Sequence, residues 1–473
     1  MITVDEQLKT PLYAQIYRQI RQDIIEGRLP VGGRLPSSRM LAKELQISRG
    51  TVAAAYDQLM SEGYIEGQEG RGCFVCRLEH MIHLRKEQAD RTERTDDRAG
   101  GNEDCLYDCS PFGVDTGLFP HATWQRLHRR VAADYGAKLY EAGDVQGEER
   151  LRTAIAEYLY QARQVNCRPE QIVIGAGADY LLLLLGQLLP PALRIAMERP
   201  TYPKAYRLLQ RQGFTICPVS GDEQGLRAEE LRKKQADVAY VMPSHQFPLG
   251  VVMPLARRLE LLNWVGENEG RYIIEDDYDS EFRYRGKPIP ALQGYDRSQR
   301  LIYIGTFSKS ITPAIRIGYL VLPPDLLTAY RKLSIDLANT VSKQEQLTAA
   351  LFVSGGYFER HINRMRLIYK HRYETLCDSL SGYKGLVLER SDSGLHVNVR
   401  LTGLNTDEAI RLAAQAGVQV YPVDEEGNGA ADGHLMIGFA GLPKAELQAA
   451  VEKLIRAWEL KEGSDCRRTV AGE

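Results

Sequence analysis

Two buried, strand-like runs constrain the fold more than any other feature of this sequence. The run Tyr272–Ile274 ends in Glu-Asp-Asp-Tyr (275–278), and the run Leu301–Ile304 ends in Gly-Thr-Phe-Ser-Lys-Ser (305–310). Continuous apolar runs that end in polar groups are typical of parallel strands buried in an α/β sheet. Strand-like and helix-like patterns alternate from Ser110 to about Trp458. The sequence therefore predicts an α/β domain over that stretch.

The polar residues after these runs match the chemical needs of pyridoxal phosphate. Its aldehyde needs a lysine amine, which Lys309 supplies, and its pyridine nitrogen needs a carboxylate. Asp276 and Asp277 are both candidates for that carboxylate, and spacing alone does not choose between them. The phosphate needs an arginine and hydroxyl donors, and the candidates are Arg316, Thr306 and Ser308. A lone lysine after a strand would be an ordinary surface residue, but this combination predicts a cofactor site.

Three upstream segments agree with this prediction. A glycine-rich turn with Gly177 and Ala178 follows the strand Ile172–Ile174 and opens a helix, so its backbone N–H groups can face an anion. Tyr202 follows another strand and can stack on a flat ring, although a single such tyrosine is more often part of a core. His245 or its neighbour Gln246 could hydrogen-bond the ring hydroxyl, although a lone histidine is more often structural.

The first 76 residues have the pattern of a DNA-binding module. Apolar residues recur at i, i+4 in Pro11–Glu26, which predicts a first helix. Ser37 or Ser38 can cap a second helix through Leu45, and Ser48 can cap a third through about Ser61. Two short strands around a glycine-rich tip follow. Three helices and a hairpin predict a winged helix-turn-helix, and a helical protein-interaction module is the alternative.

In such a module the third helix enters the major groove and the hairpin tip approaches the minor groove. The segment Arg34–Tyr56 has four basic residues and one acidic residue, a local charge of +3, although residues 1–80 carry ten of each sign. A local patch is sufficient for a small DNA-reading module. The candidate DNA-binding residues are Arg34, Ser38, Arg39, Arg49, Gly50, Thr51, Arg71 and Gly72.

A charged segment separates this module from the α/β domain. Residues 77–108 contain six basic and nine acidic side chains, and the middle of the segment has no large apolar residue. Such a chain cannot bury enough surface to offset its conformational entropy, which predicts a flexible linker. We therefore expect a winged helix at 8–78, a linker at 79–108, an α/β domain at 109–460 with a small lobe from about 350, and a frayed tail at 461–473.

Charge, cysteine content and hydropathy limit the cellular compartments in which we expect this protein. The 473 residues carry a net charge of −2, which argues against nucleic-acid binding over the whole surface. Eight cysteines are too few for a disulfide scaffold, and the first ten residues lack the apolar core of a leader. Cys73, Cys76, Cys105 and Cys109 could suggest zinc, but the first pair would point to opposite faces of a strand, so we expect no metal. We expect a soluble, cytoplasmic protein with no membrane span.

Two resemblances to known families follow from these motifs. The strings Gly-Arg-Leu-Pro-Ser-Ser-Arg (33–39), Ser-Arg-Gly-Thr-Val (48–52) and Gly-Arg-Gly (70–72) resemble the GntR class of bacterial repressors. The stretch Ser110–Trp458 resembles the aminotransferases, which are fold-type-I pyridoxal-phosphate enzymes. In this order, and with the string Pro-Ser-His-Gln-Phe-Pro (243–248), the chain resembles the MocR/GabR-type transcriptional regulators.

The resemblance implies specific roles and partners. Lys309 would carry the cofactor as an internal aldimine, Asp276 would pair with the pyridine nitrogen, Tyr278 would lie near the ring hydroxyl and Tyr202 would stack on the ring. Thr306, Arg316, Gly177 and Ala178 would line the phosphate. The implied partners are operator DNA, a small-molecule effector and a second copy of the chain in a head-to-tail, domain-swapped homodimer. RNA polymerase is a further candidate partner.

One departure from the family bears on the effector. Members that respond to GABA carry an arginine after Gly-Phe-Ala near the C-terminus, and Gly441 stands there in this chain. Lys204 stands where those members place another arginine, and lysine does not bind a carboxylate in the bidentate way that arginine does. Lys204 is thus the candidate effector-binding residue. We expect an effector other than GABA: another amine, an amino-acid derivative or pyridoxal phosphate itself.

Three functions are compatible with the sequence. The first is a transcriptional regulator that senses a ligand through its cofactor and needs no catalytic turnover. The second is an active aminotransferase with an accessory DNA-binding head, which the glycine at position 441 disfavours because transaminases usually hold a substrate carboxylate. The third is a DNA-binding protein whose large domain only dimerises and binds no cofactor.

Overall fold

The computed structural model describes residues 2–5, 10–68, 71–76, 105–286, 289–424 and 433–462. The chain divides into two compact units, Met1–Ala99 and Gly100–Glu473. Most of the predicted linker, the tip of the predicted hairpin and most of the predicted tail lie outside the described residues. Within the described part of the chain, no helix is long and apolar enough to cross a membrane.

The first unit contains three helices followed by an antiparallel hairpin. The elements are α1 (Leu12–Ile25), α2 (Ser38–Glu44), α3 (Arg49–Ser61), β1 (Ile65–Gln68) and β2 (Gly72–Val75). Ser37 caps α2, since its side chain accepts a hydrogen bond from the backbone N–H of Met40, and Ser38 is the first helical residue. Ser48 caps α3 in the same way by accepting from Thr51. The expected order of three helices and a hairpin is confirmed.

Periodic apolar residues hold the first unit together. Ile16, Ile20 and Ile24 lie on one face of α1 and are buried against Val52 and Leu59 of α3. Residues four apart lie on the same helix face, so the i, i+4 spacing gives α1 a single apolar stripe. This packing holds α3 with its N-terminal residues Arg49 and Gly50 exposed at the surface.

The second unit alternates helices and strands. Its helices are α4 (His121–Tyr135), α5 (Glu149–Arg163), α6 (Gly177–Leu188), α7 (Pro203–Arg211), α8 (Ala228–Lys233), α9 (Leu255–Gly266), α10 (Pro324–Leu333), α11 (Lys343–Ser354), α12 (Tyr357–Leu380), α13 (Thr406–Gln415) and α14 (Lys444–Ala457). Its strands are β3 (Tyr107–Asp108), β4 (Ile172–Gly175), β5 (Arg194–Glu198), β6 (Thr215–Val219), β7 (Val238–Val241), β8 (Tyr272–Asp277), β9 (Leu301–Thr306), β10 (Gly318–Val321), β11 (Tyr383–Lys384), β12 (Leu386–Glu389), β13 (His396–Leu401), β14 (Val418–Gln419), β15 (Tyr421–Pro422), β16 (His434–Gly438) and β17 (Lys461–Glu462).

A seven-stranded sheet forms the centre of the second unit. The strand order is β4-β10-β9-β8-β7-β5-β6, and β10 alone runs antiparallel to its neighbours. The other strands are parallel, so β4, β5, β7, β8 and β9 all end at the same edge. Ligands bind at the carboxyl ends of strands in such sheets. The segments after these strands therefore converge at one place.

Helices cover both faces of this sheet. Ala239 and Ile273 belong to one apolar cluster and their strand neighbours Tyr240 and Ile274 to the other, as the two-residue period of a strand requires. In α6, Leu183 is exposed and four leucines pack into the second cluster: Leu181, Leu182, Leu184 and Leu185. Both strands singled out in the sequence extend further than expected, so Asp276 and Asp277 lie within β8 and not after it.

The C-terminal part of the chain forms a smaller antiparallel sheet, β12-β13-β16-β15, with α13 and α14. The segment at residues 105–115, called the strap below, begins at this lobe. In the strap, β3 pairs in parallel with β14, and the carbonyl of Cys109 accepts a hydrogen bond from Gly438. The start of the second unit is thereby joined to the lobe that is built from its end.

Candidate functional site

A cavity of about 420 Å³ lies at the carboxyl edge of the large sheet. It is lined by loops that follow β4, β5, β7, β8 and β9 and by the strap, as the strand order requires. The lining residues are Phe112, Ala178, Asp179, Tyr202, Pro203, Lys204, Arg207, Met242, Phe247, Asp276, Tyr278, Thr306, Ser308, Lys309, Pro313 and Arg316. Nine residues predicted from the sequence meet here: Ala178, Tyr202, Lys204, Asp276, Tyr278, Thr306, Ser308, Lys309 and Arg316.

Lys309 brings a buried amine to the cavity. Its Nζ lies 3.4 Å from the carbonyl oxygen of Pro111 and 5.1 Å from the ring centre of Phe112, both in the strap. Burial lowers the pKa of this ammonium to about 7, and the nearby carboxylate of Asp279 opposes that change. A lysine with so low a pKa is partly uncharged at neutral pH and can act as a nucleophile.

Asp276 and Asp277 lie on opposite faces of β8. Asp276 lines the cavity, and its Oδ2 accepts a hydrogen bond from the Tyr240 hydroxyl. Burial, together with the charge of Asp277, raises the pKa of the Asp276 carboxyl to about 7. Asp277 points away and accepts from Arg163 Nε at 2.9 Å. Of the two alternatives left open by spacing, the structure brings only Asp276 to the cavity, because adjacent strand residues face opposite sides.

The end of the cavity near α6 has donors for an anion. Gly177 has a φ of +80° at the first turn of α6, and a Cβ there would lie 3.0 Å from the guanidinium carbon of Arg316. Glycine thus lets the arginine pack flat against the helix N-terminus, where Arg316 Nη2 donates to the carbonyl of Ala176 at 2.8 Å. Thr306 Oγ1 and Ser308 Oγ are 2.9 Å apart on the facing loop. A helix N-terminus, an arginine and two hydroxyls are suited to a phosphate.

His245 is not among the residues that line the cavity. Its Nδ1 is 2.8 Å from the Tyr278 hydroxyl and 2.9 Å from Asp279 Oδ2. Gly394 has a φ of +89°, and a Cβ there would lie 1.9 Å from His245 Cε1. The imidazole is therefore held between the two lobes with Tyr278 in front of it. His245 is thus placed to position Tyr278, and its contact with the ring hydroxyl stays a prediction.

Gln246 is also turned away from the cavity. Its side-chain nitrogen donates to the carbonyl of Pro200 and its oxygen accepts from Leu249, so both ends fix the loop after β7. The next residue, Phe247, lines the cavity instead. The sequence motif was thus located correctly, but its inward-facing residue is the aromatic one.

Lys204 lines the cavity but is already paired. Its Nζ lies 2.5 Å from Asp179 Oδ2, and the same oxygen is 3.6 Å from Arg316 Nη2. The expectation that Lys204 receives an effector carboxylate did not include this acidic partner. Asp179 is the third residue of α6, and nothing in the sequence pattern distinguished it from an ordinary first-turn acid.

The backbone at Gly441 lies in contact with the strap. A Cβ on Gly441 would lie 3.4 Å from the Cα of Gly113, and a Cβ on Gly113 would lie 3.3 Å from the Cα of Gly441. The strap lies directly over this part of the small lobe and brings Phe112 into the cavity. Phe112 contacts Phe247 with ring centres 5.1 Å apart and Tyr202 at 5.8 Å. Sequence reasoning missed Phe112, because no periodicity or motif marks a lone aromatic residue in a loop.

The residues expected to contact DNA lie in the first unit. Arg39 is exposed on α2, and Arg49 and Gly50 are exposed at the N-terminus of α3. Arg34 belongs to the hairpin side of this surface, since a Cβ on Gly72 would lie 3.3 Å from Arg34 Nε. The remaining candidates are Ser38 and Thr51, which are half-buried, and Arg71, which is exposed.

The donor set of the cavity fits pyridoxal phosphate. A lysine amine, a buried carboxyl group, a tyrosine ring and Arg316 line one cavity, and Arg316 packs against the turn at Gly177. Each group meets one chemical need of that cofactor. The fit rests on the residues themselves, and in particular on Gly177, where a Cβ would lie 3.0 Å from the guanidinium carbon of Arg316.

Comparison with known families agrees with the geometry. Residues 112–454 match the family model described as aminotransferase class I and II, and residues 12–75 match the model of bacterial regulatory proteins of the gntR family. Fold and site thus define a DNA-binding head joined to an aminotransferase-like body whose cofactor is pyridoxal phosphate.

Relatives along nearly the whole chain narrow this class. A transcriptional regulator of Bacillus subtilis, YdeL, is 38% identical over 97% of this chain and 99% of its own. The probable rhizopine catabolism regulatory protein MocR of Rhizobium meliloti is 33% identical over 98% of this chain and 97% of its own. The pyridoxine biosynthesis regulator PdxR of Corynebacterium glutamicum is 32% identical over 98% of both. The chain belongs to the MocR-type family of helix-turn-helix transcriptional regulators.

Solved structures match the body. The multiple substrate aminotransferase of Thermococcus profundus is 27% identical, with a TM-score of 0.67 over 76% of this chain and 92% of its own. The α-aminoadipate aminotransferase LysN of Thermus thermophilus, complexed with N-(5'-phosphopyridoxyl)-L-leucine, has a TM-score of 0.66 at 25% identity, over 76% of this chain and 92% of its own. The expected fold class, an N-terminal winged helix followed by a fold-type-I aminotransferase-like body, is confirmed.

Proposed function

We propose that this regulator senses an amine, an amino-acid derivative or pyridoxal phosphate itself at the cavity around Lys309. Ligand binding there would change the affinity of the winged helix for its operator and thereby switch transcription of a metabolic operon. A ligand can do this only if it binds two states of the protein with different affinity. Catalytic turnover is not required.

One observation carries the proposal, the chemical state of Lys309. Its side chain is half-buried, its amine lies 5.1 Å from the ring centre of Phe112, and desolvation lowers the pKa of the ammonium to about 7. A structural lysine would be expected to snorkel to solvent or to pair with a carboxylate. A buried, partly uncharged amine in a phosphate-binding cavity is suited to covalent attachment of the cofactor.

The surrounding side chains would hold the cofactor by its distinct groups. Arg316 and the first turn of α6 would bind the phosphate, and the ring of Tyr202 would cover one face of the pyridine. Asp276 would keep a proton on the pyridine nitrogen, since a cationic nitrogen beside it favours the ionised carboxylate. Tyr278, held by His245, would hydrogen-bond the ring hydroxyl. Pyridoxal phosphate supplies the electrophilic carbon with which an amine effector reacts.

The DNA side of the proposal rests on the exposed residues of the first unit. Arg49, Gly50 and Thr51 at the N-terminus of α3 would read base edges, while Arg34 and Arg39 would approach phosphates. Arg71 and Gly72 would contact DNA from the hairpin. We further propose a head-to-tail, domain-swapped homodimer, with RNA polymerase as a candidate partner at the promoter.

An active aminotransferase with an accessory head is the second candidate. The cavity keeps both the lysine and the carboxyl group that transamination needs, and this observation favours it. The glycine at position 441 weighs against it, because it brings no side chain to hold a substrate carboxylate.

Replacing the proposed attachment residue tests this function. Lys309→Ala should remove the near-visible absorption band and the borohydride-reducible bond to the cofactor while leaving measurable operator binding. Lys343→Ala, a lysine of α11 outside the cavity, serves as the control and should keep both signals. A reducible bond that persists in Lys309→Ala would refute the lysine assignment.

Three further measurements separate the alternatives. Complete transamination between an amino donor and a keto acid would establish the aminotransferase. Absence of any cofactor band in the unmodified protein would leave a DNA-binding protein whose body only dimerises. Operator binding that responds to neither cofactor nor amines would contradict the sensing proposal.

A further inference from the structure

Three charged side chains meet at the end of the cavity where the phosphate is proposed to bind: Asp179, Lys204 and Arg316. Asp179 is negatively charged, which is unexpected in a site for an anion. We propose that Lys204 acts as the counter-ion of Asp179 in the phosphate site, and that this Asp179–Lys204 pair sets how tightly the cofactor is held. In this role Lys204 balances the charge of Asp179 beside the cofactor phosphate, and it does not bind the carboxylate of an effector. The inference rests on the proposed cofactor site and deepens it.

The geometry places Asp179 between the two cations. Its Oδ2 is 2.5 Å from Lys204 Nζ and 3.6 Å from Arg316 Nη2. Asp179 is the third residue of α6, two positions after the Gly177 turn that receives the arginine. The carboxylate thus lies at the same helix N-terminus, and near the same arginine, that a phosphate would use. It competes with a phosphate for the guanidinium and repels it as a like charge.

Neighbouring residues offer little to offset this repulsion by hydrogen bonding. The residues that flank Gly177 are Ala176 and Ala178, so this turn offers backbone N–H groups but no side-chain hydroxyl. Thr306 and Ser308 on the facing loop bring the aliphatic hydroxyl groups among the residues that line the cavity. Binding of the phosphate therefore depends strongly on the balance of charge among the lining side chains.

Counting charges at this end explains why a cation is needed at position 204. Lys204 and Arg316 contribute two positive charges beside Asp179, which contributes one negative charge. A phosphate monoester carries about −2 near neutral pH, so these four groups together carry about −1 with Lys204 in place and about −2 without it. Without Asp179 the two cations would match the charge of the phosphate, which would bind more tightly.

Both side chains of the Asp179–Lys204 pair are partly exposed to solvent. The side chains of Lys204 and Asp179 are 50% and 29% exposed, so water screens their interaction and neither is locked in place. A site weakened by its own carboxylate would release the cofactor more readily than a fully cationic one. Such a site is suited to a protein whose cofactor occupancy varies with the cellular supply.

A double-mutant cycle tests the inference. The full-length protein is freed of cofactor and titrated with pyridoxal phosphate, with the dissociation constant read from absorbance. Asp179→Asn, which keeps the shape of the side chain, should tighten binding about three- to tenfold. Lys204→Met, which keeps the apolar stem, should weaken binding by a similar factor. The double variant should return close to the unmodified protein, because removing both charges restores the balance.

Inorganic phosphate provides a second readout that does not depend on Lys309. It should raise the thermal unfolding midpoint of the cofactor-free protein, less so in Lys204→Met and more so in Asp179→Asn. The pair Glu230→Gln and Lys233→Met serves as the control, since Lys233 Nζ lies 2.9 Å from Glu230 in α8 and neither lines the cavity. Neither control should change either measurement.

The possible outcomes are distinct. If Lys204→Met leaves the dissociation constant unchanged but abolishes the response to amino acids, Lys204 reads an effector and the inference is wrong. A double variant that binds pyridoxal phosphate as weakly as Lys204→Met alone would also contradict it, because Asp179 would then not oppose the phosphate. If the unmodified protein binds no pyridoxal phosphate, the proposed function fails rather than the role of this pair. Thermal stabilisation by phosphate that follows the expected order would support the charge balance by itself.

Discussion

Asp276 and Asp277 are neighbours in β8 whose surroundings differ in kind. Asp276 faces the cavity with the Tyr240 hydroxyl as its hydrogen-bond donor, and burial raises the pKa of its carboxyl to about 7. Asp277 is almost fully buried on the other face and is paired with the guanidinium of Arg163. One carboxyl group is thus kept for a ligand, while the other satisfies a buried cation. Similar residues one position apart therefore have different functions.

Replacing each aspartate by asparagine should have opposite effects on the stability of the cofactor-free protein. A raised folded-state pKa means that the unfolded chain ionises Asp276 first, so its contribution to stability falls as pH rises from about 4 to about 7. Asp276→Asn should therefore leave the free energy of unfolding unchanged or higher at pH 8. Asp277→Asn should lower it by about 3 kcal/mol, because Arg163 would keep a buried charge without its carboxylate.

Urea unfolding at pH 5 and pH 8 measures both effects. The free energy of unfolding of Asp276→Asn should exceed that of the unmodified protein by more at pH 8 than at pH 5. The reason is that only the unmodified protein has an ionisable group at this position. Equal destabilisation by the two substitutions would show that both carboxylates are structural. That result would remove Asp276 from the cofactor site.

The helix α3 shows how a single element is fixed for contact with DNA. Its N-terminus is capped by Ser48, whose Oγ accepts from the backbone N–H of Thr51 at 3.1 Å and lies 2.8 Å from the Thr51 hydroxyl. The cap determines where the helix begins, and therefore where Arg49 and Gly50 stand. Val52 and Leu59 anchor the opposite face in the core.

Removing this cap should loosen the start of α3. Ser48→Ala should destabilise the helix by about 1 kcal/mol. Hydrogen exchange of the first-turn amides in the full-length chain measures the effect, and operator affinity should fall with it. Ser61→Ala removes a hydroxyl at the other end of the same helix, where it only donates to the carbonyl of Gln58. Comparable exchange in both variants would contradict the importance of the cap.

At the scale of the whole molecule, the strap links parts of the chain that are distant in sequence. Asp115 at its end accepts a hydrogen bond from Arg372 Nη2 of α12 at 2.5 Å, and Arg372 Nη1 donates to the carbonyl of Ala440. One buried guanidinium thus joins the strap, the long helix and the small lobe. The same strap places Phe112 over the amine of Lys309.

Breaking this junction should destabilise the body and uncover the amine. Arg372→Met should lower the free energy of unfolding by about 3 kcal/mol, because it leaves the carboxylate of Asp115 without its partner. Chemical labelling of Lys309 in the cofactor-free protein should become faster as the strap loosens. Lys370→Met, on the same helix but exposed and 3.8 Å from Glu374, should change neither quantity. Unchanged labelling in Arg372→Met would show that the strap does not cover the amine.

The sequence predicted most of what depends on local chemistry. Lys309 and Arg316 could be found because cofactor chemistry demands particular residue types after strands, and α1 and α3 because apolar spacing determines a helix face. The pairing of Lys204 with Asp179 could not be found, since it depends on how α6 and α7 meet in space. Phe247 lines the cavity and His245 does not, because of the path of the loop after β7. No periodicity in the sequence predicts the path of such a loop.

The parallel pairing of β3 with β14 has a consequence for signal transmission. Cys105, where the described part of the body begins, belongs to the strap that is hydrogen-bonded to the lobe built from residues near the C-terminus. The first described residues of the second unit are thus held by hydrogen bonds to the lobe built from the end of the chain. Any rotation of this lobe relative to the central sheet would therefore move residues 105–109 with it.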